Sequence, residues 1–215
     1  MAEPSKPRRW LRRTGFAVAG VAAILLVLTA IVFIQQWRED MDLREASRTL
    51  EGPVRGGGIV RDDATRLFAT LPPRESLGGD AFRFVAVPEL SNYTYALSLS
   101  AKGATVEGIL VTTERSHGGK KLTTTRQTFT MPRNDYGSLI VEMDHLADGY
   151  AGNNLQCLDG TVIAFERIRG SRVTSGLGNA CAKHYAAIGE IVRLTLMRFV
   201  TLPGSPLGHG WYPGF

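Results

Sequence analysis

Asp144, His145 and Asp148 are the side chains whose types and spacing come nearest to a reaction centre. Asp144 and Asp148 would lie one helical turn apart with His145 beside them, so the group could hold a divalent metal or orient a general base. As an enzyme the chain would then be a hydrolase using His145 with Asp144 or Asp148. The same residues also suit a solvated helix face, and no third ligand of fitting spacing accompanies them. The sequence therefore assigns no metal and no cofactor.

The remaining polar residues have simpler uses. His184, beside Tyr185, fits a packing or surface position, and His117 precedes Gly118 and Gly119 in a turn. Asp159 suits a hairpin turn, and Glu166 a solvent-facing strand position. There is no Gly-x-Ser-x-Gly elbow, no His-Glu-x-x-His and no calcium loop, and Gly56, Gly57 and Gly58 lack the Gly-Lys-Ser/Thr that completes a phosphate loop. Gly176, Gly178 and Asn179 follow a strand as a dinucleotide fingerprint would, but Cys181 stands where the third glycine is needed. They read as a loop and a helix cap. Enzymatic activity has no signature here, and the balance leans toward a non-catalytic protein.

The elements that must position these residues follow from periodicity. Phe82 and Phe84, then Tyr93, Tyr95, Leu97 and Leu99, then Val106, Ile109 and Val111, then the threonine-rich run Leu122 to Thr130 all alternate. They predict an antiparallel meander of half-buried strands, with turns near Pro88, at Lys102 and Gly103, and at Gly118 and Gly119. Leu139, Ile140, Met143, Leu146 and Ala147 are spaced for a helix over about 135–148, stopped by Gly149. A short strand around Cys157, the hairpin signal Asp159-Gly160, a strand over 161–167 and a return near 172–174 come next. Asn179 then caps a long helix to about Val200, whose stripe of Cys181, Tyr185, Ile188, Val192, Leu196 and Phe199 packs on the sheet.

The N-terminus is of another kind. Phe16 to Ile34 is an apolar run of nineteen residues, and as a helix it would be roughly 28 Å long, near the hydrocarbon thickness of a bilayer. Lys6, Arg8, Arg9, Arg12 and Arg13 precede it and Gln35, Gln36 and Trp37 follow it, so the positive-inside rule keeps the N-terminus in the cytoplasm. A cleaved signal peptide would need small residues before a cleavage point, and Ile31 to Trp37 offers none. The run reads as an uncleaved anchor in a bacterial inner membrane, with the rest of the chain periplasmic.

Dividing the charge removes nucleic acid as a partner. Of the formal +5, residues 1–15 carry +4, five basic side chains against Glu3, and residues 38–215 carry +1, twenty basic against nineteen acidic. The basic excess sits next to the bilayer, where it orients the span and meets anionic lipid. Cys157 and Cys181, the two cysteines, fall in the exported part and are expected to pair as a disulfide.

The organisation expected is a basic head over 1–15, a transmembrane helix over 16–37, a stalk and tether with one docking helix over 38–79, an exported domain over 80–202, and a Pro/Gly/aromatic tail over 203–215. Trp211, Tyr212 and Phe215 in that tail are expected to fold back over the last helix rather than dock on a partner. The fold class is α+β: a transmembrane helix, an antiparallel meander with a mid-chain helix, a hairpin, and a long C-terminal helix packed on the sheet. The function expected is that of an anchored envelope module binding the bilayer through 16–37 and an envelope protein or cell-wall component through the exported domain.

Overall fold

The computed structural model describes residues 7–54, 59–89, 91–116, 122–152 and 160–203. Gly56 to Gly58, His117 to Gly119, the expected strand around Cys157, Asp159, and the tail aromatics Trp211, Tyr212 and Phe215 lie outside the described residues. The chain divides into two compact units, residues 1–42 and 43–215.

The first unit is helical. It consists of most of α1, Pro7–Ser47, and its stretch Val21–Arg38 is long and apolar enough to cross a membrane. Every residue from Val21 to Arg38 is exposed, including Leu26, Phe33 and Trp37. An apolar helix with no buried face lacks the one-sided stripe that packing on a soluble core requires.

The second unit is α+β, built on a seven-stranded sheet with every neighbouring pair antiparallel. The strands are β1 (Leu50–Glu51), β2 (Asp80–Pro88), β3 (Tyr93–Lys102), β4 (Thr105–Arg115), β5 (Leu122–Pro132), β6 (Thr161–Arg169) and β7 (Arg172–Asn179). They are ordered β1-β7-β6-β2-β3-β4-β5, so a meander of β2 to β5 is extended on its β2 side by the hairpin β6–β7. Two-residue turns close β3 onto β4 and β6 onto β7, and each begins with a glycine at positive φ, Gly103 at 62° and Gly170 at 60°. Such turns match the twist of antiparallel strands, and a side chain there would be strained.

Three helices cover the sheet. On one face lie α3 (Arg133–Ala147) and α4 (Lys183–Leu196). Tyr136, Leu139, Ile140 and Met143 of α3 and Tyr185, Ile188, Val192 and Leu196 of α4 close over Phe82, Phe84, Tyr95, Leu97, Leu110, Ile163 and Phe165. On the other face lies α2 (Ile59–Phe68), where Ala64, Phe68 and the following Leu71 meet Val85, Ala96, Val111, Ala164 and Leu177. The segment 38–79 therefore contributes β1 and α2 to the packed unit, which begins at Leu43.

Three local readings change. Asn179 does not cap the last helix. It ends β7 opposite Val162, its Oδ1 accepts the Cys181 N–H at 3.0 Å, and α4 starts after Ala182. Gly176 and Gly178 belong to β7 rather than to a loop. A Cβ on Gly178 would stand 2.2 Å from the Tyr185 ring, so these glycines let an aromatic side chain lie directly on the strand. Glu166 faces α2 instead of solvent and is only 2% exposed, because helices cover both faces of β6.

Glu166 pairs with Arg83, its direct cross-strand neighbour, at 2.6 Å. The Val54 N–H and the Arg74 guanidinium also donate to it, at 3.1 and 3.4 Å. Arg83 lies 4.9 Å from the centre of the Phe68 ring and donates to the Phe68 carbonyl. Burial pulls the Arg83 pKa below its usual range against the opposing charge of Glu166. Replacing Glu166 with Ala strands a buried guanidinium and is expected to cost about 3 to 5 kcal/mol, whereas the double replacement Arg83→Met with Glu166→Leu should cost much less than that. Urea unfolding of the full chain in mild detergent tests the difference, and a single variant as stable as the parent would show that the pair contributes nothing.

Candidate functional site

The structure places Asp144, His145 and Asp148 on the last turns of α3 and at its end, but directs them to different neighbours. Asp144 pairs with Arg169 of β6 and lies 3.8 Å from Arg167 Nε, and Asp148 lies 3.7 Å from the same Arg169. Asp144 and Asp148 raise the Arg169 pKa, chiefly through the hydrogen bond that Arg169 donates to Asp144. Both carboxylates thus fasten α3 to the sheet.

His145 is exposed and lines a shallow depression of about 310 Å³ with Val141, Glu142, Leu146, Ala187 and Ile191, between α3 and α4. Glu142, three residues earlier on α3, is the other titratable side chain of that lining, and among the described residues no hydrogen bond or ion pair joins it to His145. Among the described residues, no cluster of three or more His, Cys, Asp or Glu side chains could hold a metal ion.

The neighbouring polar network is also structural. Asp80 at the start of β2 accepts the Tyr136 hydroxyl at 2.9 Å and pairs with Arg167 at 2.8 Å and with Arg133. Burial alone would raise the Asp80 pKa, but these donors outweigh it and hold the carboxyl below its usual range. Burial, offset in part by Arg167, raises the Tyr136 pKa, so its hydroxyl stays protonated and can serve Asp80 as a donor. Cys181 is disulfide-bonded, and Cys157, the chain's other cysteine, lies outside the described residues.

A different feature lies open among the described residues: the outer edge of β5. The Arg133 N–H donates to the Ala104 carbonyl at 3.3 Å, and Arg115 N–H to Asn92 O at 2.7 Å. Antiparallel ladders alternate, so even-numbered residues of β4 bond toward β5 and odd-numbered residues of β5 bond back. Leu122, Thr124, Arg126, Thr128 and Thr130 consequently turn both their N–H and C=O groups away from β4. No described strand pairs with this edge. Nearly the whole strand is exposed on both faces, with only Met131 buried, and Phe129 and Gln127 partly covered. Phe129 packs against Phe199, with ring centres 6.5 Å apart, and Gln127 Nε2 donates to Thr201 O at 3.0 Å.

The alternation of Leu122 to Thr130 predicts a strand, but its edge position was hidden because strand order depends on contacts far apart in the chain. The Arg83–Glu166 pair was missed too. The signal lies in Arg83 inside the apolar run 82–87 and in Glu166 and Arg167 inside the apolar run 162–168, where an unpaired charge would be costly.

Compared with known proteins, the chain matches no family model, no curated protein and no solved structure. Any functional reading therefore rests on its own residues.

One titratable group yields a pH expectation. His184 stacks on Tyr150 with ring centres 3.4 Å apart, and its Nε2 is buried without a partner among the described residues. Burial lowers its pKa. The unfolded chain therefore binds a proton more readily than the folded one, and stability should fall as pH drops below about 6.5, the ordinary histidine value. Thermal melting between pH 7.5 and 5 should show this decline, and His184→Gln should flatten it. An unchanged slope would place His184 outside the acid response.

Proposed function

We propose that this chain is a membrane-anchored envelope protein whose exported α+β domain is a non-catalytic binding module. The anchor is the uncleaved helix over 16–37, in a bacterial inner membrane, with a cytoplasmic N-terminus and a periplasmic domain. The exposed apolar helix Val21–Arg38 supports the span. The five basic residues before it and the near-neutral chain after it favour the orientation. A disulfide at Cys181 suits an oxidising compartment, and its partner is Cys157 in this reading.

The observation that carries the binding reading is the open edge of β5. A row of unpaired backbone groups on a long, mostly uncharged strand is a template for another extended chain. The alternative use of Asp144, His145 and Asp148 as hydrolytic residues gains no support from an arrangement that commits both carboxylates to Arg169.

The anchor and the disulfide are tested separately. A reporter active only outside the cytoplasm, fused after Phe215, should be active, and the mature protein should retain Trp10 and stay in the membrane after carbonate washing. An N-terminus beyond Thr29 would show signal cleavage and defeat the anchor. Thiol labelling of denatured, unreduced protein should find no reactive cysteine until a reductant is added. Replacing Cys157, Cys181 or both with Ser should cost the same, about 2 to 5 kcal/mol, because the bond is lost in each case.

A further inference from the structure

We infer that the open edge of β5 is the contact between two copies of this chain, which join β5 to β5 in antiparallel register about a two-fold axis at Gln127. The inference rests on reading the domain as a binding module and names its occupant.

A partner for this edge must itself present an unpaired row of backbone donors and acceptors, and β5 is such a row. The other end of the sheet does not offer a matching one. There β1 pairs with β7 at Leu50 and Glu51, Gly52 N–H bonds Val173 O at 2.8 Å, and Pro53 follows. In β5 the outward positions are Leu122, Thr124, Arg126, Thr128 and Thr130, and Pro132, which has no N–H to lose, ends the row.

The register follows from length and charge. Gln127 is the midpoint of Leu122–Pro132, so centring the axis there overlaps the two strands over their whole length. Arg126, the only charged residue in β5, then lies opposite Thr128 of the second copy, and Thr124 lies opposite Thr130. A register centred on Arg126 would instead set two guanidiniums face to face, which is unfavourable. In the Gln127 register the even residues exchange backbone hydrogen bonds, and Gln127 meets its own copy in the closer, non-hydrogen-bonded kind of pair. On the α3/α4 side, Phe129 faces Thr125 of the second copy, an aromatic against a β-branched side chain. Two chains carrying the same membrane anchor also meet at the raised local concentration of a shared surface.

The test uses the full chain in its native membrane and in mild detergent. Gln127→Cys places two thiols across the axis and should give a disulfide-linked dimer as the main product under mild oxidation. Thr123→Cys, which would face Met131, should stay largely unlinked. Thr128→Lys creates two like-charge pairs with Arg126 by symmetry. Each cross-strand pair shifts the equilibrium roughly threefold, so association measured by sedimentation should weaken about tenfold. Thr128→Glu, at the same exposed site, should strengthen it.

Equal linking of Gln127→Cys and Thr123→Cys, or equal effects of Lys and Glu at 128, would overturn the register and the inference with it. Gln127→Cys linked to a different protein would overturn the second copy as occupant while leaving the binding reading intact. Linking only after removal of residues 204–215 would show that the chain's own tail fills the edge, again overturning the inference. An unlinked Gln127→Cys with no effect of either charge on association would overturn both readings.

Discussion

The Arg83–Glu166 pair is the constraint around which the sheet is assembled. Removing two charges from water costs several kcal/mol per ion even after relaxation, so the fold must return hydrogen bonds to both. Glu166 receives Arg83, Arg74 and the Val54 N–H, while Arg83 reaches back to the Phe68 carbonyl. These donors and acceptors come from before α2, from its last residue and from the turn after it. Displacing α2 would therefore strand a charge, and its position is tied to the centre of the sheet by more than Ala64, Phe68 and Leu71. The pair also sets register. Sliding β6 by two residues against β2 would bring Ala164 or Ile168 opposite Arg83 and leave Glu166 without its partner. Apolar pairs alone would discriminate those alignments less sharply.

The opposite face solves a packing problem with glycine. Tyr185 sits over Gly176 and Gly178, where a Cβ would come within 3 Å of its ring or hydroxyl, and its hydroxyl donates to the Ser47 carbonyl at 2.6 Å. Burial raises its pKa, so the hydroxyl remains a donor at any ordinary pH. The carbonyl it satisfies is at the end of α1, one of the groups a helix terminus leaves unpaired. Nearby, Thr49 N–H bonds Tyr150 O at 3.1 Å and the Tyr150 ring stacks on His184. One buried tyrosine thus links β7, α4 and the residues that lead into β1.

The sequence made much of this plain, for reasons that differ by element. The meander, α3 and α4 each bury one face, and their periods of two or of three to four residues expose that directly. Gly149 stands two residues past the end of α3, and Gly103 lies in the turn between β3 and β4. Where both faces are buried, as at Glu166, alternation no longer separates inside from outside, and a charge was placed in solvent. Asn179 looked like a cap because its side chain does serve a backbone N–H, though in the turn before α4 rather than at its first residue. The aspartates of α3 were legible as a group but not as partners of Arg169, which lies more than twenty residues further along the chain. The edge of β5 needed the whole sheet order before it could be seen.

That edge also indicates what strength of interaction to expect. Backbone groups along Leu122 to Thr130 are hydrated when free, so exchanging water for another strand gains only about 1 kcal/mol per hydrogen bond, before the cost of ordering two chains is subtracted. Backbone pairing by itself would accept many sequences, and discrimination must come from the side chains on the two faces. Threonines at 123, 124, 125, 128 and 130 supply β-branched surfaces that favour extended structure but bury little apolar area. Phe129 is the exception, yet its ring is already held against Phe199. An edge of this composition supports association of modest affinity, which becomes effective only where the strands are concentrated. Confinement to a membrane surface would raise encounter without a larger interface, so under the proposed function an anchor at the N-terminal helix would strengthen pairing at the open strand.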